Sequence, residues 1–112
     1  MSKSQQRKGR GGELELCKIF QAHGINAQPG QAVSYGATPD IMGVAGIHCE
    51  VKRTEKMRLN EWLDQATRDA RRFGGYPAIF HRSNRRPWTV TMLLEDWLTI
   101  MGFSDPKREG GI

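Results

Sequence analysis

The chain has little of what builds a stapled scaffold: its only cysteines, Cys17 and Cys49, are far apart and fit no CxxC pattern. Both sit among apolar neighbours and read as buried reduced thiols, which excludes a disulfide framework and a cysteine-based zinc site. His23, His48 and His81 share no ligand spacing and are read as non-ligands. No apolar run approaches the roughly 18 residues that span a bilayer, and the polar start MSKSQQRKGR lacks the apolar core of a secretion signal, so a cytoplasmic protein is expected. No internal repeat is present.

What is there is enough for one domain. The 112 residues are 38% hydrophobic and 26% charged, a balance that excludes the disordered and membrane classes and allows one modest core. Seventeen Lys and Arg against twelve Asp and Glu leave +5. Such an excess attracts polyanions, nucleic acid first, although it also serves plain solubility. The position of the charges has to decide.

Along the chain, residues 1–12 are basic and contain Gly9, Gly11 and Gly12, which predicts a flexible arm. Residues 13–23 are helical in pattern, with Leu16, Cys17 and Phe20 on one stripe and Gly24 as the stop. Glu13 falls on that stripe and should point inward. A short extended segment is expected within 25–33, then a loop through Ser34, Tyr35 and Gly36. Residues 41–44 and 47–52 form an antiparallel hairpin. Leu59, Trp62, Leu63, Ala66, Ala70 and Phe73 repeat at helical spacing, with Asn60 as N-cap and Gly74 and Gly75 as stop. Strands at 78–80 and 88–93 flank the basic turn 82–86, and a last helix covers 94–101. Trp62, Trp88 and Trp97 all fall on apolar patterns and are expected in the core. The element order is of the α/β kind: a single domain over 13–102, with a mixed central sheet flanked by helices, and a disordered tail at 103–112.

The hairpin carries the chemistry. Alternation along the strand puts Glu50 and Lys52 on one side and Cys49 and Val51 on the other. Turning around 44–46 brings Asp40 nearly opposite Glu50, where facing Cβ atoms lie about 5 Å apart. Two ionised carboxylates so close need a proton, a cation or a metal between them. Oxygen donors without a thiolate or imidazole favour a hard ion, Mg²⁺ with Mn²⁺ as substitute. Such an ion suits phosphodiester hydrolysis, which needs an activated water and a positive centre to receive charge. Lys52 could orient or deprotonate the water, or hold the phosphate. Read as structure alone, Asp40 caps a turn, Glu50 and Lys52 are a cross-strand pair, and Glu13 is an acid at a helix start.

Thr38-Pro39-Asp40 followed by Glu50-Val51-Lys52 resembles the PD-(D/E)xK signature of a nuclease superfamily that includes many restriction enzymes. The start Arg7-Lys8-Gly9, with Glu13 and Leu14 opening a helix, is similar to the archaeal type of Holliday junction resolvase and its phage-encoded relatives. The likeness runs on through the Gln65-bearing helix, Ala78-Ile79-Phe80, Arg86-Pro87-Trp88 and Leu94-Glu95-Asp96, over residues 7–101. It implies a restriction-endonuclease-like fold and a Mg²⁺-dependent endonuclease resolving four-way DNA junctions. Glu13, Asp40 and Glu50 would bind the metal, Lys52 would assist the attacking water, and Ser34 and Gln65 are possible auxiliaries. A homodimer in the cytoplasm of a bacterium or phage-infected host is also implied. Arg53, Lys56 and Arg58 follow the catalytic strand and, with Arg7, Lys8 and Arg10, could grip phosphates; solvated loop charge is the plainer reading. The competing functions are a virus-type replication-repair nuclease acting on other DNA structures and a non-catalytic module that holds branched DNA.

Overall fold

A computed structural model describes the backbone of residues 3–30 and 38–103 and, from residue 11 onward, their side chains. Helix α1 spans Lys3–Ala22. It starts well before Glu13, so the backbone from residue 3 is helical where a flexible arm was expected. One of the glycines that suggested a break has a packing use. Gly12 is buried, and a Cβ there would meet the Arg53 Cβ at 3.0 Å and the Val51 Cγ1 at 3.6 Å, so its bareness lets the helix lie close to the sheet.

Five short strands follow in register: β1 (Gln28–Pro29), β2 (Ile41–Met42), β3 (Ile47–Arg53), β4 (Tyr76–Arg82) and β5 (Thr89–Met92). They form one sheet in chain order. The β1/β2, β2/β3 and β4/β5 pairs are antiparallel, and β3/β4 is parallel. A parallel neighbour needs a crossover, and α2 (Leu59–Phe73) supplies it. Arg58 is the N-cap residue of α2 and makes no side-chain cap, so Asn60, expected to cap, lies within the first turn. Gly74 ends the helix with φ 86° and donates its N–H to the Ala70 carbonyl at 2.6 Å. Helix α3 (Leu94–Ile100) closes the described chain, with none of its residues buried.

The two sheet faces take different cover. Cys49, Val51, Ala78 and Phe80 pack under Leu16 and Cys17 of α1 together with Ala27 and Ile41. Phe20 meets Phe80 edge-on, with ring centroids 5.4 Å apart. On the opposite face, Phe73 of α2 stacks obliquely by His48, and Trp62 by His81. Both cysteines are free and buried. Trp88 packs against the core cluster, whereas Trp97, expected inside, is 43% exposed. The expected tail begins at Phe103 and otherwise lies outside the described residues. Among the described residues no helix is long and apolar enough to cross a membrane.

Candidate active site

Asp40 is held by its main chain and side chain alike. Its N–H donates to the Cys49 carbonyl at 2.8 Å, its carbonyl accepts from Gly30 N–H at 2.8 Å, and its Oδ2 accepts from Val51 N–H at 2.8 Å. Gly30 is obligatory there, because any Cβ would overlap the Pro39 carbonyl oxygen. The pairing of Ile41 with Cys49 makes Asp40 the neighbour of Glu50, the juxtaposition expected from the hairpin. Asp40 and Glu50 carboxyls hydrogen-bond each other.

Glu50 is the perturbed group of the site. Burial, then the charge of Asp40 and its hydrogen bond, push the Glu50 carboxyl up to about 8, against the opposing pull of Lys52. Lys52 holds its Nζ 6.0 Å from the centroid of the Trp62 ring, so α2 shapes where that cation sits. On the other flank, His48 Nε2 lies 3.0 Å from Glu50 Oε1, and His48 Nδ1 is buried without a partner. Burial lowers the His48 pKa, with Asp69 and Asp40 pulling the other way. A neutral ring whose Nε2–H donates to Glu50 Oε1 leaves only the Nδ1 lone pair unmet, the cheaper of the two possible orphans.

Asp69 of α2 joins this cluster. One donor atom each from His48, Glu50 and Asp69 lie within 4.8 Å of one another, a set that could hold a metal ion. Neither Asp69 nor His48 was expected in the site. Asp69 sits at i+3 from Ala66 and i+7 from Trp62, on the margin of the apolar stripe of α2, and that spacing was the available signal. Gln65, the residue favoured from sequence, is exposed on α2. Glu13 is half-buried on α1, where its charge adds to burial in raising the Cys17 thiol. It is not part of the cluster around Glu50 and Asp69. Ser34 lies outside the described residues.

The basic residues divide. Arg53 is half-buried and directs its guanidinium to Asn84 Oδ1 at 2.9 Å and the Arg82 carbonyl at 3.5 Å. Lys56 and Arg58 are exposed just beyond β3, Arg58 pairing loosely with Glu61 at 3.6 Å. Glu15, which carried no expectation, accepts from Arg82 and from Trp88 Nε1 and so ties α1 to the far side of the sheet. The side chains of Arg7, Lys8 and Arg10 lie outside those described.

A mixed sheet between helices, with Pro39-Asp40 leading into one strand and Glu50-Val51-Lys52 on its neighbour, defines a nuclease fold of the PD-(D/E)xK type. The model of the archaeal Holliday junction resolvase (Hjc) family matches residues 4–99. The chain belongs to that family, and is therefore a junction-resolving nuclease that binds branched DNA. Among solved structures it is similar to the Holliday junction resolvase Hjc of the hyperthermophilic archaeon Archaeoglobus fulgidus, at 23% identity and a TM-score of 0.56, over 76% of this chain and 72% of that one. That likeness speaks for the fold. Comparison with curated proteins found no match.

Proposed function

We propose that the chain is a Mg²⁺-dependent endonuclease, with Mn²⁺ as substitute, that acts as a homodimer to nick opposed strands of four-way junctions from a site built on Asp40, Glu50 and Lys52. The observation that carries this reading is the contact between the Asp40 and Glu50 carboxyls, with Glu50 raised to about 8. A carboxyl pair crowded in this way is costly unless a cation relieves it. Asp40 and Glu50 would hold the ion, Asp69 and His48 lie near enough to Glu50 to add donors, and Glu13 is kept from the family resemblance. The ion supplies charge neutralisation and water activation.

The residues themselves do the rest. Three main-chain hydrogen bonds fix Asp40, so its carboxylate needs no reorganisation when substrate arrives. His48, with Nε2–H toward Glu50 Oε1, orients that carboxyl group. Lys52 acts as a cation, since its field already opposes the rise at Glu50, and it stabilises negative charge growing on the phosphoryl oxygens. Lys56 and Arg58, exposed where β3 ends, hold flanking phosphates without reading sequence.

The test is cleavage of a labelled four-way junction beside matched linear duplex, in Mg²⁺ and in EDTA, by the native chain, Asp40→Asn and Lys52→Ala. Nicking confined to the junction, absent in EDTA and lost in both variants while binding persists, is expected. Undiminished cutting in EDTA, or by Asp40→Asn, would overturn the proposed site.

A further inference from the structure

The basic turn that joins β4 to β5 carries a strain that folding alone does not require. Arg85 has a left-handed backbone, φ 62°, and among the described residues it is the one residue other than glycine that does. Glycine would take that conformation at no steric cost, so an arginine there is a strained choice. Such strain persists where the surroundings over-determine the backbone, and it gathers at ligand clamps. Here the surroundings do so. Arg86 donates its N–H to the Ser83 carbonyl at 3.2 Å, and its own carbonyl accepts from Arg82 Nε at 2.7 Å. Asn84 donates its N–H to Glu55 Oε1 at 2.7 Å and receives the Arg53 guanidinium on its Oδ1 at 2.9 Å. Glu15 holds both flanks of the turn, through Arg82 and Trp88. Pro87 restricts the exit.

This scaffold sorts the cations. Arg53 and Arg82 direct their guanidinium groups into the turn and its supports, whereas Arg85 and Arg86 are exposed and make no ion pair among the described residues. Their place in the fold gives them a use. Strands β3 and β4 run parallel with Lys52 beside His81 and Arg53 beside Arg82, so the turn leaves the sheet at the same end as the segment that bears Lys56 and Arg58. Thr54 N–H donates to the Arg82 carbonyl at 3.2 Å and joins the two segments there. The carboxyl ends of parallel strands are where such sheets receive ligands. We propose that the turn 82–86 is a preorganised phosphate clamp, in which Arg85 and Arg86 grip the DNA backbone on the β4–β5 side of the site. This extends the phosphate grip proposed above for Lys56 and Arg58 and, being electrostatic, is independent of the metal. A guanidinium offers a planar fork that matches phosphate oxygens, and a backbone already fixed beneath it lowers the ordering cost of binding. An acidic polypeptide would meet the same charges, but the turn's place at the end of the sheet next to Lys52 favours the phosphodiester substrate.

The experiment is binding of a labelled four-way junction in EDTA, where no metal-dependent cutting intervenes, at several salt concentrations between roughly 50 and 200 mM. The proteins are the native chain, Arg85→Gln with Arg86→Gln, the single variants Arg85→Gly and Arg85→Lys, and Arg72→Gln as a charge control in the last turn of α2, away from the carboxyl end of β4. The double variant is expected to bind on the order of tenfold more weakly at moderate salt, with the slope of log K against log salt smaller by about 1.8, twice the 0.9 due to one phosphate. Arg85→Gly should lose about 0.9 of slope while melting no lower than the native chain, because glycine relieves the φ of 62°. Arg85→Lys should keep the native slope, and Arg72→Gln should match the native chain in slope and affinity. A double variant whose slope and affinity equal the native values would overturn the clamp and leave the turn to solvent or to an acidic partner. So would a loss as large in Arg72→Gln, since net charge alone would then account for it. Should the double variant fail to fold, Arg85→Gly decides: a native slope in that folded variant overturns the proposal. If the native chain binds through the turn in this way yet never cuts in Mg²⁺, the metal-dependent reading fails and the clamp stands.

Discussion

Strand β3 has two faces, and they obey different rules. Cys49 and Val51 point toward α1 into a cluster of apolar side chains, where burial first, with Asp40 and Glu50 adding to it, pushes the Cys49 thiol up to about 12. That thiol stays protonated and inert. His48, Glu50 and Lys52, one residue out of phase, point toward α2, and His48 and Glu50 among them carry the shifted acid–base groups of the candidate site. One face contributes stability through apolar burial. The other gives stability up, because a carboxyl raised to about 8 and a buried imidazole with an orphan nitrogen both cost free energy. The lesson is that the fold tolerates the site only because its back is dry.

The largest expected effect falls on the costly face. Glu50→Gln should lower junction cleavage about 10³-fold or more, and in metal-free buffer above pH 8 it should melt no lower than the native chain, because it removes a charge the fold disfavours. Cleavage rates with thermal melts would show both. A variant that lost activity and stability together would mean that Glu50 is structural, and the contrast between faces would fail.

On the dry face the pattern inverts. Val51→Ala should cost about 2 kcal/mol, read as a fall of roughly 10 °C in Tm, while turnover of the folded fraction stays near native. A large loss of turnover at low temperature would show that the faces are coupled through β3.

The third expectation sharpens the comparison through pH. His48 and His81 both have lowered pKa values, by burial first. Their contribution is present above the unfolded value of 6.5 and is lost as pH falls below it, since the unfolded chain then binds protons that the native chain refuses. Glu50 runs oppositely: its raised pKa gives stability that is full below 4.5 and lost as pH rises through about 8. Metal-free melting should therefore peak in between. Mg²⁺ should raise Tm most on the alkaline side, where Glu50 gives up its proton readily. A Mg²⁺ effect that was equal at pH 6 and pH 8 would remove Glu50 from the ligands.

Much of this was legible in the residues. Period-two alternation put Glu50 and Lys52 on one face and Cys49 and Val51 on the other, and the short turn fixed the register that brings Asp40 beside Glu50. Gly74 stopped α2 where its spacing said it would. What escaped was tertiary. Gly9, Gly11 and Gly12 read as breakers, because local propensity does not know that Gly12 sits where helix and strand nearly touch. The periodicity of α2 gave its inward stripe without saying which sheet face that stripe would meet, so Asp69 went unrecognised as a neighbour of Glu50, and His48, on the same strand face as Glu50, was read as a non-ligand. Trp97 read as core because apolar helical spacing marks a face and cannot say whether anything covers it; it is 43% exposed.

The smallest effect concerns the rim, where the polar face of β3 runs out toward solvent. Lys56 and Arg58 are exposed, and Arg53 is tied to Asn84 and the Arg82 carbonyl. Removing an exposed cation that touches a phosphate weakens duplex binding uniformly and lowers the slope of log K against log salt by about 0.9 for each phosphate no longer neutralised. Lys56→Ala and Arg58→Ala should each do this, a few-fold at moderate salt, with Tm unchanged. Arg53→Ala should instead lower Tm modestly by freeing the turn that holds Asn84, and leave the salt slope near native. Titrations of a labelled junction at several salt concentrations separate the two behaviours. If Arg53→Ala changed the slope as much as Lys56→Ala, its guanidinium would leave Asn84 for phosphate on binding, and the boundary between scaffold and DNA surface would lie one residue past Lys52.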